Sequence, residues 1–128
     1  MGRKEILVDT SVFIDYYRKQ NKENALLTQL SKEYDIFISV ITKFEILAGV
    51  KNEVEKEFWD SVFDSLFILP FGNNEAEKSA EIYAFLRKAN QIIGVQDIFI
   101  AATALTNLLQ ISTLNKKDFE RIKKLEIL

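Results

Sequence analysis

Three aliphatic runs, Ile6-Leu7-Val8, Ile36-Phe37-Ile38 and Phe67-Ile68-Leu69, constrain this chain more than any other feature. None alternates apolar with polar residues, so each reads as a short strand buried on both faces rather than one with a wet side. Between them lie segments with helical periodicity, predicted at residues 12–18, 22–32, 43–49, 53–66, 74–89, 97–108 and 115–122. A fourth strand is expected over 110–113, and 125–128 is a candidate for a fifth. Strands of this kind alternating with helices predict an α/β fold. The expected architecture is a three-layer α/β/α domain with a mostly parallel central sheet of four to five strands.

At 128 residues, 48% of them apolar, the chain is expected to form one domain over 1–128 with a sizeable core. It contains no cysteine, which excludes disulfides and thiolate metal sites. It also contains no histidine, which removes the commonest general base and transition-metal ligand together with every Ser-His-Asp or Cys-His mechanism. A hydrolase built from what remains must rely on carboxylates, lysines, hydroxyls and a hard cation with oxygen ligands. The N-terminus lacks the apolar stretch of a signal peptide. Gly2 follows Met1, but Ile6 stands where a myristoylation motif requires Ser or Thr. The apolar run 98–105 is too short to span a bilayer. A cytoplasmic protein without membrane contact is expected.

The net charge of −2 does not announce a nucleic-acid binder. The charge is uneven, however. Residues 45–64 hold six acids and two lysines, whereas residues 116–124 hold five bases and two acids. Arg18, Lys19 and Lys22 form a smaller basic group. Such runs are often no more than solvated helix faces, but local cations can also steer phosphates.

In a parallel sheet, sites form beyond the carboxyl ends of the strands. Asp9 follows the first strand there, and Thr113 and Asn115 stand at the end of the fourth. Taken singly, each acid has an ordinary structural explanation. Asp9 could cap the helix starting near Val12, and Asp97 could cap or favour the N-terminus of the helix it opens. Thr42 and Glu45 have the spacing of a capping box. Asn115 and Asp118 form a capping pair. As a set at one end of one sheet, Asp9, Glu45, Asp97 and Asp118 would repel one another, and the usual remedies are a raised pKa or a bound cation. A Mg²⁺ or Mn²⁺ ion held by such a set can cut a phosphodiester without histidine.

Four segments resemble the PIN-domain family in order, spacing and chain length: Ile6-Leu7-Val8-Asp9-Thr10-Ser11-Val12, Phe44-Glu45-Ile46-Leu47-Ala48-Gly49-Val50, Asp97-Ile98-Phe99-Ile100-Ala101-Ala102-Thr103-Ala104 and Thr113-Leu114-Asn115-Lys116-Lys117-Asp118-Phe119. The closest subgroup is that of VapC-type toxins of toxin–antitoxin pairs. The resemblance implies a Mg²⁺- or Mn²⁺-dependent ribonuclease, a homodimer and inhibition by a cognate antitoxin protein. It implies Asp9, Glu45, Asp97 and Asp118 as catalytic acids, with Asp9 and Asp97 as metal ligands. Ser11, Thr113 and Asn115 would support them. The fourth acid departs from the pattern, since some relatives carry an acid where this chain has Asn115. Either Asp118 or Asn115 could complete the site.

Two other readings stand beside this one. The first is a PIN-like module that binds RNA or protein without turnover, although a pure binder gains nothing from clustered negative charge. The second is a receiver-like domain, which would need a phosphorylatable Asp where this chain has Leu69-Pro70-Phe71. The helix at 53–66 carries Val54, Phe58, Trp59, Val62, Phe63 and Leu66 at helical spacing. That stripe reads as core or as an antitoxin or dimer surface.

Overall fold

β1 (Lys4–Val8) lies inside the sheet and pairs on both sides, with β2 (Tyr34–Ser39) and with β4 (Gln110–Ser112). Its Ile6, Leu7 and Val8 are fully buried, as an unbroken aliphatic run requires. The sheet has four strands, all parallel, in the order β3-β2-β1-β4, with β3 (Phe67–Leu69) at one edge. The computed structural model describes residues 3–128. The reading of Gly2 therefore falls outside the described residues.

The pleat of β1 divides the interior. Ile6 and Val8 face one core, built with Val12 and Phe13 of α1 (Thr10–Arg18), Leu27 and Leu30 of α2 (Leu26–Ser31), and Trp59 and Phe63 of α4 (Glu53–Asp64). Leu7 faces the other core, with Ile82 and Leu86 of α5 (Asn73–Lys88), the apolar helix α6 (Val95–Thr106), and Phe119 of α7 (Lys116–Phe119). A fully buried side chain of this kind contributes about 1.5–3 kcal/mol. In α6, Ile98, Ile100, Ala101, Ala102, Thr103 and Ala104 are all buried, so the helix sits centrally, as its near-uniform apolar surface predicts.

Several expectations are corrected. The chain at 22–32 is a 3₁₀ turn (Lys22–Asn24) and then α2, because Ala25 lies in an extended conformation between them. The third helix, α3 (Val40–Ala48), starts before Thr42, since Ser39 Oγ accepts the Ile41 N–H and takes the capping role. Thr42 is fully buried inside α3, so it and Glu45 are not a capping box. α6 starts at Val95 with Gly94 as its N-cap, which puts Asp97 inside the first turn. At 125–128 only a single bridge forms, Ile111 with Ile127, so β4 gains no full fifth partner. On α4, Val54 is exposed whereas Trp59 and Phe63 are buried. The small basic group also dissolves. Lys22 Nζ donates to the carbonyls of Tyr16, Tyr17 and Lys19, and Lys19 pairs with Asp15.

The order of connection places the site. β1, β2 and β3 are laid down in one direction across the sheet, and β4 then inserts on the other side of β1. The switch point is therefore the β1–β4 gap, and its open end is the carboxyl end of both strands.

Candidate metal centre

Asp9 and Thr113 meet at this switch point. The Asp9 N–H donates to the Ser112 carbonyl at 3.0 Å, which extends the β1–β4 ladder by one bond. Thr113 Oγ1 then donates to Asp9 Oδ2 at 2.7 Å across a separation of 104 residues. Ser11 Oγ donates to the same oxygen, also at 2.7 Å. Both hydroxyls are themselves acceptors: Ser11 Oγ takes the Leu114 N–H at 3.0 Å, and Thr113 Oγ1 takes the Asn115 N–H at 2.9 Å. With their lone pairs engaged by backbone, the two protons are left to point at Asp9. Asp9 occupies the N-cap position of α1 but its side chain makes no capping bond, and Oδ2 is turned to the two hydroxyls instead. Its Oδ1 has no hydrogen bond. Since no buried polar side-chain atom among the described residues lacks a partner, Oδ1 must reach the water outside.

Glu45 is held from the neighbouring residue of the same turn. Thr10 Oγ1 donates to Glu45 Oε1 at 2.8 Å and lies 2.9 Å from Thr42 Oγ1. A hydroxyl has one proton, so with that proton on Glu45 the Thr42 hydroxyl is the donor of the second bond. Asp118 accepts from Asn115 Nδ2 at 3.0 Å, so Asn115 steadies the acid instead of capping α7. Ser11, Thr113 and Asn115 thus act together around Asp9 and Asp118. Thr10 and Thr42 were not foreseen. The available signals were that Thr10 adjoins Asp9 and that Thr42 and Glu45, three apart, share one helix face.

Asp97 enters from α6. Burial pushes its carboxyl up from 3.8 to about 6, and the charges of Asp9, Glu45 and Asp118 push in the same direction. Asp9, Glu45 and Asp118 therefore all lie within Coulombic reach of Asp97. None of them belongs to an ion pair among the described residues, whose pairs join Arg3–Asp35, Lys19–Asp15, Lys32–Glu23, Lys56–Asp60 and Lys78–Glu81. No group of three acids among the described residues is arranged to hold an ion directly. Mg²⁺ keeps several waters and is commonly bound through one or two carboxylates, so it does not require a direct three-acid cage. The donor set is all oxygen, and none of its carboxylates is ion-paired among the described residues.

A model of the PIN domain matches residues 6–125. The chain is 39% identical to the ribonuclease VapC of Rickettsia bellii over 131 aligned residues, covering 96% of this chain and 94% of that protein. The DNA-bound VapBC of Salmonella typhimurium has the same fold, with a TM-score of 0.85 at 24% identity over 98% of this chain and 97% of that one. A toxin–antitoxin complex from Klebsiella pneumoniae superposes with a TM-score of 0.76 at 23% identity, over 97% and 96% of the two chains.

Proposed function

The chain belongs to the PIN-domain family, and on that premise we propose that it is a divalent-metal-dependent ribonuclease acting as the toxin of a toxin–antitoxin pair. The observation that carries this reading is a set of four carboxylates at one end of the sheet, none ion-paired among the described residues, with Asp97 pushed to about 6 by burial and by the other three.

Asp9 and Asp97 are the residues that would hold Mg²⁺ or Mn²⁺. Asp9 is locked through Oδ2 and offers Oδ1, and Asp97 is presented by the rigid first turn of α6. Glu45 and Asp118, oriented by Thr10 and Asn115, complete the catalytic acids and would orient the attacking water and accept its proton. A bound cation of this type polarises a phosphoryl oxygen and makes a water acidic enough to attack it at neutral pH. The hydroxyls of Ser11 and Thr113 hold Asp9 in place, so little reorganisation is left for the moment of reaction.

An antitoxin protein is the partner implied by the toxin reading. The cleft of about 690 Å³ beside α4, with Leu27, Ile36, Phe58 and Leu66 on its walls and Lys22 and Glu23 among its polar lining, supports a docked amphipathic segment of it. The homodimer is supported by β3, an edge strand whose Phe67 and Ile68 stay 53% and 36% exposed. No helix is long and apolar enough to cross a membrane among the described residues.

The test uses purified protein and its Asp97→Asn variant with a pool of structured RNAs in Mg²⁺, Mn²⁺ or EDTA. Cleavage by the parent protein is expected, lost in the variant and in EDTA. Equal cleavage by both proteins would refute the site. Titration calorimetry with Mn²⁺ separates a metal-binding protein without turnover from one that binds no metal.

A further inference from the structure

A cluster of four acids repels the polyanion it is meant to cut, and the chain as a whole carries −2. Affinity for RNA must therefore come from local cations. Half of the twelve basic residues elsewhere are engaged with protein acids or carbonyls, Arg3, Lys19, Lys32, Lys56 and Lys78 in ion pairs and Lys22 on backbone carbonyls. The segment 116–124 differs. Among the described residues, none of Lys116, Lys117, Arg121, Lys123 and Lys124 forms an ion pair. Phe119 and Ile122 are buried and pin the segment down, so Lys116, Lys117, Lys123 and Lys124 are exposed.

The path of this segment matters as much as its charge. It leaves the acid cluster at Asn115, whose side chain holds Asp118, and returns along β4 until Ile127 rejoins Ile111 in parallel. Its cations therefore extend from the carboxyl end of the sheet towards the amino end. At the far end they meet exposed aromatic rings. Lys123 Nζ lies 4.7 Å from the centroid of Phe85, which is 40% exposed. The Arg87 guanidinium lies 5.4 Å over Tyr83, which is 38% exposed. Phe85, Lys123 and Lys124 line one shallow cavity of about 220 Å³, floored by Ile82 and Leu105.

We propose that residues 116–124, with Phe85, form a platform for the RNA strand beside the scissile bond. Lys116 and Lys117 take the two phosphates nearest the acids, Lys123 and Lys124 take two further along, and an unpaired base stacks on Phe85. Exposed rings interleaved with unpaired cations are what single-stranded nucleic acid requires, since every base has a π-face and every linkage a charge. The proposal rests on the ribonuclease reading and assigns the substrate an unpaired stretch flanking the cut.

The experiment measures binding of a fluorescein-labelled 12-nucleotide single-stranded RNA to the full chain by anisotropy over a range of KCl concentrations. Asp97→Asn serves as the background so that no turnover interferes. Lys116→Gln with Lys117→Gln, and Lys123→Gln with Lys124→Gln, should each weaken binding and reduce the slope of log K against log salt by about 1.4, at about 0.7 per phosphate. Phe85→Ala should weaken binding roughly 5- to 100-fold with the slope unchanged. Lys56→Ala, which loses an ion-paired lysine, should change neither. Unaltered affinity and slope in both lysine pairs would overturn the proposal. If the parent protein still cleaves RNA in that case, the ribonuclease reading stands alone. If the parent protein neither binds nor cleaves RNA, both fall. The lysine pairs lie on exposed tips, so the test survives even if Phe85→Ala fails to fold.

Discussion

Replacing Asp97 with asparagine isolates the cost of crowding four carboxylates at the end of one sheet. In the metal-free protein, burial and the charges of Asp9, Glu45 and Asp118 raise the Asp97 carboxyl from 3.8 to about 6. The folded chain therefore binds this proton more tightly than the unfolded chain. Stability from this group is fully present below about pH 4 and is lost as the pH rises towards 6. Above that, an ionised Asp97 destabilises the fold by at most about 3 kcal/mol, at 1.36 kcal/mol per pH unit. Because the group is only half-buried, solvent screening reduces this to about 1.5 kcal/mol. Asp97→Asn keeps the shape and removes the charge. In EDTA at pH 7.5 it should raise the unfolding free energy by about 1.5 kcal/mol, or Tm by about 3–8 °C for a chain of this size. At pH 4 the difference should vanish, since Asp97 is then protonated in the folded protein. Adding Mn²⁺ at pH 7.5 should stabilise the parent more than the variant, because a ligand that binds only the folded state raises stability by mass action. Paired thermal melts followed by circular dichroism, with and without Mn²⁺, measure all of this. A variant no more stable than the parent at pH 7.5, or equally stabilised at both pH values, would refute the picture of a repulsive cluster relieved by a cation.

Three further outcomes are expected. Thr113→Val removes one of the two hydroxyls on Asp9 Oδ2 and leaves the Asn115 N–H without its acceptor. It should cost about 1.5–3 kcal/mol in urea unfolding and lower Mn²⁺ affinity by about 10–100-fold in calorimetry; Thr113→Ser should restore most of both. Lys22→Met removes three bonds to the carbonyls that end α1 and the cation held 5.0 Å from the Tyr16 ring. A loss of about 1–2 kcal/mol in urea titration is expected. Leu108 sits at φ 57°, closing α6 through bonds from Leu109 N to the Ala104 carbonyl and from Leu108 N to the Leu105 carbonyl. Glycine suits that position better, so Leu108→Gly should raise stability by about 0.5–1 kcal/mol, and a lower Tm would argue against strain there.

What could be read beforehand was whatever depended on burial alone. The run at 6–8 marks the buried interior strand on which the sheet is built, whereas the run at 67–69 coincides with β3 but stays largely exposed at the sheet edge. The apolar helix carrying Asp97 is central, as its composition required. Local hydrogen-bond choices were less legible. The Thr42-x-x-Glu45 spacing suits a capping box and equally suits two residues stacked on one helix face, and only the competing Ser39 decides between them. Likewise, Asn115 and Asp118 have capping spacing, but the asparagine amide spends itself on the carboxylate. The network joining Thr10, Thr42 and Glu45 links residues more than 30 positions apart, and nothing short of the assembled sheet brings them together.

The Thr113–Asp9 bond has a consequence for the timing of synthesis. A ribosome makes Asp9 104 residues before its hydroxyl partner. β1 and β2 can pair while the chain is still growing, but β4 cannot insert beside β1 until residues 110–112 have left the exit tunnel. Asp97 and Asp118 also arrive late. From residue 45 until residue 97 is made, a growing chain thus holds two of the four acids and lacks the strand that fastens them. The nuclease would be assembled only as translation of this region closes, and a ribosome producing it would be spared a working enzyme on its own unfinished chain.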